Sequence, residues 1–310
     1  MMKQKPIIVT GTHRSGSTWF GKMLALTPNT CYINEPFTPI YAKAIMGLDI
    51  NWFHYLKEEE LQRYYGNIKN GLGLSYTLVD LQRQIKNANT SRKKMAFTYR
   101  YLKYHILDHK KTPIIKDPMA VLSLEQLAKQ FDLSVVCIVR HPAAFIASLK
   151  RVDWTIELED WIGSQPLLIQ KHFKSDWEAI SNPQNQQKGL IWRASHFWRL
   201  VNKLILSHQS NNPTWRVYKH EELSADPLTS LEKVYADLGL DFNDQVRNEI
   251  KRYTGEENKK FAQGKQVLDL KRNSKELVKV WKGKLSPTEI AEIKHIVGDV
   301  SIHFYGDDEW

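Results

Sequence analysis

Cysteine is scarce in this sequence, and its scarcity excludes two kinds of architecture. Only Cys31 and Cys137 occur among 310 residues, and each lies in an apolar run. Two such thiols do not make the disulfide framework of a small secreted domain, and no Cys and His residues have the spacing of a zinc site. We therefore expect both cysteines to be buried and free, with no zinc bound by them.

Long hydrophobic runs are missing as well. No segment approaches the roughly 18 apolar residues that a membrane-spanning helix needs. The first five residues lead directly into an apolar run without the pattern of a signal peptide, and neither repeats nor low-complexity linkers occur. The sequence thus predicts a cytoplasmic protein without a membrane span, long enough for one large α/β domain or two small ones.

Acidic residues are fewer than basic ones. The chain has 34 Asp and Glu against 44 Lys and Arg, a formal net charge of +10. Such a balance favours an anionic partner, which includes nucleotides, polyanions, nucleic acids and membrane surfaces. A mildly basic protein also needs no special partner. Because no helical DNA-reading motif and no aromatic RNA-binding signature is visible, we expect no nucleic acid as a partner.

The most informative stretch joins the first predicted strand to the first predicted helix. The apolar run 6–10 predicts a buried strand, and an amphipathic segment follows a loop of small and polar residues. Such a loop and helix start bind phosphate through backbone N–H groups. Gly11 and Gly16 match the frame of a nucleoside triphosphatase loop, but Ser17 stands where that loop has lysine. The loop therefore predicts a phosphate-like ligand other than ATP, with Arg14 as its cation.

The segment Arg14-Ser15-Gly16-Ser17-Thr18-Trp19 resembles the 5′-phosphosulfate loop of sulfotransferases that use 3′-phosphoadenosine 5′-phosphosulfate (PAPS). The resemblance implies an α/β fold, namely a P-loop-NTPase-like three-layer sandwich whose central, mostly parallel sheet is flanked by helices. It implies a single domain over residues 1–310. It also implies that the phosphosulfate is bound by the loop residues Thr12, His13, Arg14, Ser15, Gly16, Ser17, Thr18 and Trp19.

Two further predicted strands end in charged residues. The strand at 30–34 runs into Glu35, which Pro36 holds in an extended conformation. The strand at 112–116 ends in Lys116 and Asp117. In open α/β sheets the ligand lies beyond the carboxyl ends of the strands, so these side chains are expected to face one crevice. For Glu35, a surface salt bridge or a helix cap is the alternative interpretation.

A fourth predicted strand ends at Arg140, directly before a helix that begins near Pro142 and carries Ser148. In the sulfotransferase family, a strand followed by Arg and, eight residues later, Ser binds the 3′-phosphate of PAPS. The resemblance therefore assigns this role to Arg140 and Ser148. A guanidinium group suits it because it offers two parallel donors to phosphate oxygens.

The remaining segments are assigned more coarsely. Helical insertions are predicted at about 40–110 and 152–210. The second insertion begins with an irregular, Trp-rich part up to about 182. It ends in a long helix from about Gln184 to His208. The segment that begins at His220 resembles a recurrent structural segment of the family. The basic stretch at about 255–285 resembles the loop that covers the nucleotide, and the resemblance assigns cofactor contacts to Arg272, Asn273 and Ser274.

The chemistry implied by the resemblance is transfer of a sulfuryl group from PAPS to an acceptor hydroxyl or amine, with no metal required. The family uses His as the base in small-molecule enzymes and Glu in many carbohydrate enzymes, and Glu35 occupies the latter position. We therefore expect Glu35 to be the general base. A carbohydrate is the favoured acceptor, and peptide tyrosine, a lipid and a small metabolite stay open. Arg14 and Lys116 complete the catalytic set. Lys116 is a substitute proton donor because arginine is a poor one, and His13 and His141 are weaker candidate bases.

Three other functions remain open from the sequence. A P-loop kinase shares this architecture but needs the missing lysine and a magnesium-binding Asp in place of Arg140. A polyanion-binding module would explain the positive charge. An inactive relative that only binds a nucleotide would keep the loop and lose the chemistry.

Overall fold

Five short strands of the described residues form one parallel sheet. The computed structural model describes residues 4–185, 188–255 and 281–310. Within these residues the strands are β1 (Ile7–Gly11), β2 (Thr30–Asn34), β3 (Thr112–Lys116), β4 (Ser134–Val139) and β5 (Arg216–Lys219). All neighbouring strands are parallel, in the order β2-β3-β1-β4-β5. The expected α/β class with a central parallel sheet is confirmed, and β1 lies in the middle of the sheet.

Helices connect the strands and cover both faces of the sheet. Over the same residues the α-helices are α1 (Ser17–Leu24), α2 (Pro39–Tyr41), α3 (Glu58–Arg63), α4 (Tyr65–Gly71), α5 (Leu78–Asn87), α6 (Ser91–Lys103), α7 (Leu124–Phe131), α8 (Pro142–Val152), α9 (Pro166–Leu168), α10 (Lys174–Ile180), α11 (Leu190–Asn211), α12 (His220–Ala225), α13 (Pro227–Asp237), α14 (Asp244–Thr254) and α15 (Pro287–Ser301). Within the described part of the chain, π-helical turns lie at Ala42–Met46, Tyr104–Asp108, Glu159–Gly163 and Ile169–Phe173. In the same part, 3₁₀ turns lie at Pro118–Ser123, Pro183–Asn185 and Asp307–Glu309.

The alternation of side chains along β1 separates two hydrophobic cores. Ile7 and Val9 point to one face, where they join the apolar sides of α1, α13 and α14. Ile8 points to the opposite face and joins a larger core that includes residues of α8, α11 and α15. Because successive side chains of a strand face opposite sides, a strand that is apolar at every position is buried on both faces. The result is three layers, with helices on each side of the sheet.

The register of the strands brings their carboxyl ends to one edge. Val9 is level with Lys116 on one side and with Val136 on the other, and Asn34 is level with Lys116. The residues that follow β1, β2, β3 and β4 therefore leave the sheet at the same edge. The candidate residues of the sequence come from these exits.

Two details of the sequence interpretation need correction. The long helix was expected from about Gln184, but α11 begins at Leu190, and Gln184 belongs to a 3₁₀ turn. The segment up to about residue 182 was expected to be irregular, yet it contains α9, α10 and two π-helical turns. The prediction for the cysteines is confirmed, since Cys31 and Cys137 are buried and free. The single-domain assignment stays a prediction.

Candidate active site

The loop between β1 and α1 owes its shape to left-handed backbone conformations. Arg14 has a φ of 65° and Gly16 a φ of 95°. A Cβ atom on Gly16 would lie 2.5 Å from Nδ1 of His220, so only glycine fits between the loop and α12. Helix α1 begins at the next residue and has no acidic side chain in its first turn. The loop and the unpaired N–H groups of the helix start therefore form a backbone site suited to an anion.

The loop is connected directly to the junction between β4 and α8. Nη1 of Arg140, at the end of β4, donates to the carbonyl oxygen of Arg14 at 2.9 Å. Nε of Arg14 donates to Oγ of Ser148, on α8, at 3.1 Å. The structure thus brings together three residues that the sequence proposed for the two ends of one nucleotide: Arg14, Arg140 and Ser148.

Aromatic side chains pack around these arginines. The Arg14 guanidinium lies 5.6 Å from the ring centroid of Trp154, a cation–π distance. Nε1 of Trp198, on α11, donates to the carbonyl oxygen of Arg140 at 2.8 Å. The indole of Trp198 is fully buried, so this hydrogen bond ties the end of β4 to the core.

Glu221 supports the same junction and was not singled out as a site residue from the sequence. Its Oε1 accepts a hydrogen bond from the backbone N–H of His141 at 3.0 Å, and its Oε2 accepts one from Tyr305 at 2.9 Å. Burial raises the pKa of Glu221, while these N–H and O–H donors and the Arg140 charge oppose the rise. Glu221 lies two residues after β5, at the edge where the other strands end. This position in the sequence is the signal that could have identified it as a site residue.

Glu35 and Lys116 form a second pair, at the ends of β2 and β3. The backbone N–H of Glu35 donates to the carbonyl oxygen of Lys116 at 2.7 Å, and Nζ of Lys116 donates to Oε1 of Glu35. Lys116 is buried and Glu35 is partly exposed. A Cβ atom on Gly21 of α1 would lie 3.1 Å from Cβ of Lys116. The lysine stem therefore passes against α1, which links this pair to the helix that follows the loop.

Asp117 fixes the turn after Glu35. Its Oδ2 accepts from the N–H of Phe37 at 2.6 Å and its Oδ1 accepts from the N–H of Met119 at 2.8 Å. Burial raises the pKa of Asp117 to about 7. The extended conformation that Pro36 was expected to impose on Glu35 is wrong, because Glu35 has a φ of 46°, a left-handed conformation that a turn held in this way can maintain. An Asp followed by Pro after a strand is a helix-capping pattern, and it indicates this role in the sequence.

His13 lies among aromatic rings and not with the charged residues. Its imidazole centroid is between 5.4 and 5.9 Å from the rings of Phe53, Phe145, Trp154, Trp161 and Phe197. Both ring nitrogens are buried, with no hydrogen-bond partner within the part of the chain that is described. Burial, and next the charge of Arg14, lowers the pKa of His13 to about 3. Neither Glu35 nor Lys116 is therefore a hydrogen-bond partner of this ring.

The other loop residues differ in exposure. Thr12, Ser15 and Ser17 are buried, while Thr18 and Trp19 are half-buried. The indole of Trp19 meets the ring of His220 edge-on at 6.3 Å. The predicted cofactor residues Arg272, Asn273 and Ser274 lie outside the described residues.

The described residues show neither a cluster of metal-binding side chains nor a membrane-spanning helix. Across residues 4–185, 188–255 and 281–310, no group of three or more His, Cys, Asp or Glu side chains is arranged to hold a metal ion. Over the same ranges, no helix combines the length and the apolar character that crossing a membrane requires.

Comparison with known proteins shows the family. The model of the sulfotransferase family matches residues 6–244, and no curated protein sequence matches the chain. Among solved structures, a sulfotransferase domain from the curacin biosynthetic pathway is 17% identical, with 96% of this chain and 98% of that one covered and a TM-score of 0.48. A sulfotransferase from Mycobacterium avium is 14% identical, with 98% and 78% covered and a TM-score of 0.45. A mouse sulfotransferase complexed with PAP is 13% identical, with 98% and 86% covered and a TM-score of 0.46.

The family match begins one residue before β1 and ends at the start of α14. It therefore includes the loop, the charged residues that end β2, β3 and β4, and Glu221, but not Tyr305, the hydrogen-bond partner of Glu221. The chain belongs to the sulfotransferase family, the PAPS-dependent enzyme class that its sequence motifs resemble.

Proposed function

We propose that this enzyme transfers a sulfuryl group from PAPS to an acceptor hydroxyl, with Glu35 as the general base. The observation that supports the cofactor is the direct contact between the two strand-to-helix junctions. Arg140 donates to the backbone of Arg14, and Arg14 donates to Ser148. One nucleotide with phosphate groups at both ends needs two cationic sites within reach of each other, and these contacts provide such an arrangement.

The residues present fit PAPS at both ends. At the 5′ end, the loop from Thr12 to Thr18 offers left-handed backbone, a helix start and the Arg14 guanidinium. At the 3′ end, Arg140 and Ser148 offer a planar fork of donors and a hydroxyl. When bound, PAPS supplies an activated sulfuryl group. The protein's part is to hold the two phosphate ends with donors already aimed at negative charge.

The contacts of Glu35 support its role as the base for an acceptor hydroxyl. Its carboxylate is partly exposed, and the Lys116 ammonium holds one of its oxygens. Thr38 donates to the other oxygen at 3.4 Å. A carboxylate oriented by two donors is pre-positioned as a general base. The buried Lys116 ammonium also carries a proton next to α1, where a developing negative charge on the leaving group could receive it.

The acceptor we propose is a carbohydrate or another glycan. The basis is the use of a glutamate at the end of the second strand, in the position that the family's carbohydrate enzymes use. A single domain, a metal-independent reaction and a cytoplasmic location belong to the same proposal.

The deciding experiment compares two nucleotides on the Arg140→Ala variant. Adenosine 3′,5′-bisphosphate and adenosine 5′-phosphate differ only by the 3′-phosphate. Loss of a hydrogen bond to a charged group is worth about 1.5–3 kcal/mol, so the bisphosphate should bind roughly 10- to 100-fold more weakly. Adenosine 5′-phosphate should bind with nearly its original affinity. Calorimetric titration measures both, and equal losses for the two nucleotides would remove Arg140 from the 3′-phosphate site.

A further inference from the structure

Helix α6 and the π-helical turn that continues it, Tyr104–Asp108, present apolar side chains to solvent. Met95, Tyr99, Leu102 and Ile106 are all exposed. They recur at intervals of three or four residues, so they share one side of the helix. We call these four residues the outer stripe. No residue of α6 is buried.

The opposite side of the same helix makes the contacts that hold it to the protein. The ring of Tyr101 meets that of Tyr76 at 5.4 Å. Arg100 lies 4.8 Å over the ring of Tyr76, and its Nη2 donates to the carbonyl oxygen of Asn70 at 2.9 Å. The inner side is therefore sufficient to dock the helix, and the outer stripe makes no contribution to the folded core.

The surroundings of the outer stripe are strongly basic. Between Ser91 and Lys111 the sequence has seven Lys or Arg residues and one acidic residue, Asp108. Asp108 is paired with Lys103 at 2.8 Å and approaches Lys111 at 3.7 Å. By helical periodicity, Arg92 and Lys103 lie along one flank of the stripe. An apolar strip bordered by cations is the pattern of a helix that lies in the interface of an anionic membrane.

We propose that the outer stripe of α6 docks this protein on the surface of an anionic lipid bilayer. The apolar side chains enter the boundary between headgroups and acyl chains, and the flanking cations contact anionic headgroups. A second copy of the chain is a poorer occupant, because two such faces in contact would bring like charges together. The proposal concerns binding at a surface and does not depend on the proposed reaction.

Vesicle flotation with a matched pair of variants tests the proposal. The vesicles contain either phosphatidylcholine alone or phosphatidylcholine with about one third phosphatidylglycerol, an anionic fraction chosen to give a strong surface potential. The test variant is Leu102→Ser with Ile106→Ser, whose positions are 49% and 71% exposed. The control is Leu167→Ser with Ile302→Ser, whose positions are 44% and 72% exposed. Both pairs remove the same side chains from similarly exposed places, so neither is expected to change the fold.

The wild type should float with the anionic vesicles, stay behind with neutral ones, and be released by salt. The test variant should bind at least about tenfold more weakly, because two anchoring side chains are lost. The control should bind like the wild type. Failure of the wild type to float, or equal losses in both variants, overturns the proposal. So does a dimer, seen by light scattering, that the test variant dissociates.

Discussion

The two halves of the candidate active site are built on different principles. At the β1 and β4 ends, cationic side chains are held by the backbone and by a hydroxyl: Arg140 by the carbonyl of Arg14, and Arg14 by Ser148. At the β2 and β3 ends, two opposite charges hold each other, Glu35 and Lys116. The first half brings the positive charges of Arg14 and Arg140 close together. The second has a donor and an acceptor of protons side by side.

This difference predicts that binding and chemistry are separable by mutation. Changes near β1 and β4 should act mainly on nucleotide affinity. Changes near β2 and β3 should act mainly on turnover. The four predictions that follow test this division, beginning with the largest effect.

Glu35→Gln should reduce turnover by about 10²–10⁴-fold, the usual contribution of a general base. Glutamine keeps an oxygen for the Lys116 ammonium, so the turn and the nucleotide site should stay intact. Transfer of label from PAPS to acceptor measures turnover, and calorimetry measures the affinity for adenosine 3′,5′-bisphosphate, which should change less than twofold. Glu222→Gln, at an exposed glutamate paired with Lys219, is the control. Full activity of Glu35→Gln would end the base assignment.

Gly16→Ala should weaken nucleotide binding by about 100-fold, because the loop cannot keep its shape. The added Cβ would meet His220 at 2.5 Å, and the φ of 95° is unfavourable for alanine. We also expect a loss of about 1–3 kcal/mol in the free energy of unfolding, the usual cost of one strained residue. Gly298→Ala is the control: that helical glycine has nothing within 4 Å of its Cβ position, so alanine should stabilise α15 by roughly 0.5–1 kcal/mol. Chemical denaturation and nucleotide titration separate the two outcomes.

Ser148→Ala should weaken binding of adenosine 3′,5′-bisphosphate by roughly tenfold, the value of one hydrogen bond to a charged group. Binding of adenosine 5′-phosphate should change little if the hydroxyl serves the 3′-phosphate. In the structure, however, Ser148 accepts from Arg14, a residue of the 5′ end. Equal losses for both nucleotides would therefore show that Ser148 only orients Arg14, and the division between the two ends would need to be redrawn.

Much of the fold could be predicted because its signals are local. The apolar runs predicted the strands β1 to β4, and the Pro after Glu35 and the Pro after His141 marked strand exits at the correct edge. The carboxyl ends of parallel strands lie at one edge of the sheet, so the parallel order alone predicts that the residues after these strands lie close together. The parallel order does not predict which atoms pair. Arg140 donates to the carbonyl oxygen of Arg14, and Nε of Arg14 donates to Ser148. Both hydrogen bonds depend on packing between segments more than 120 residues apart in sequence.

Side-chain burial was the least predictable property. His13 precedes the loop arginine, and the sequence alone kept it as a weaker candidate base beside Glu35. The surroundings of His13 distinguish it from Arg14: five aromatic rings pack around its imidazole, from segments as distant in sequence as Phe53 and Phe197. Glu221 was not predicted as a site residue because its partners also come from distant segments. His141 follows β4, and Tyr305 lies near the C-terminal end.

His13→Phe should keep turnover within a few-fold while changing how stability depends on pH. Burial lowers the pKa of His13 from 6.5 to about 3 in the folded protein, so the unfolded chain binds its proton first as pH falls. The stabilising effect of the neutral ring is complete above about pH 6.5 and is lost toward pH 3, by at most about 1.4 kcal/mol per pH unit. Phenylalanine cannot titrate and fills the aromatic cage. The difference in unfolding free energy between variant and wild type should therefore shift in favour of the variant as pH falls from 7 to 5.

Denaturant titration at several pH values measures that difference, and other buried groups that titrate in the same range, such as Asp117, cancel from it. If the variant folds normally but loses turnover as Glu35→Gln does, then His13 takes part in the chemistry. His13 would in that case belong to the reaction site and not to the aromatic core.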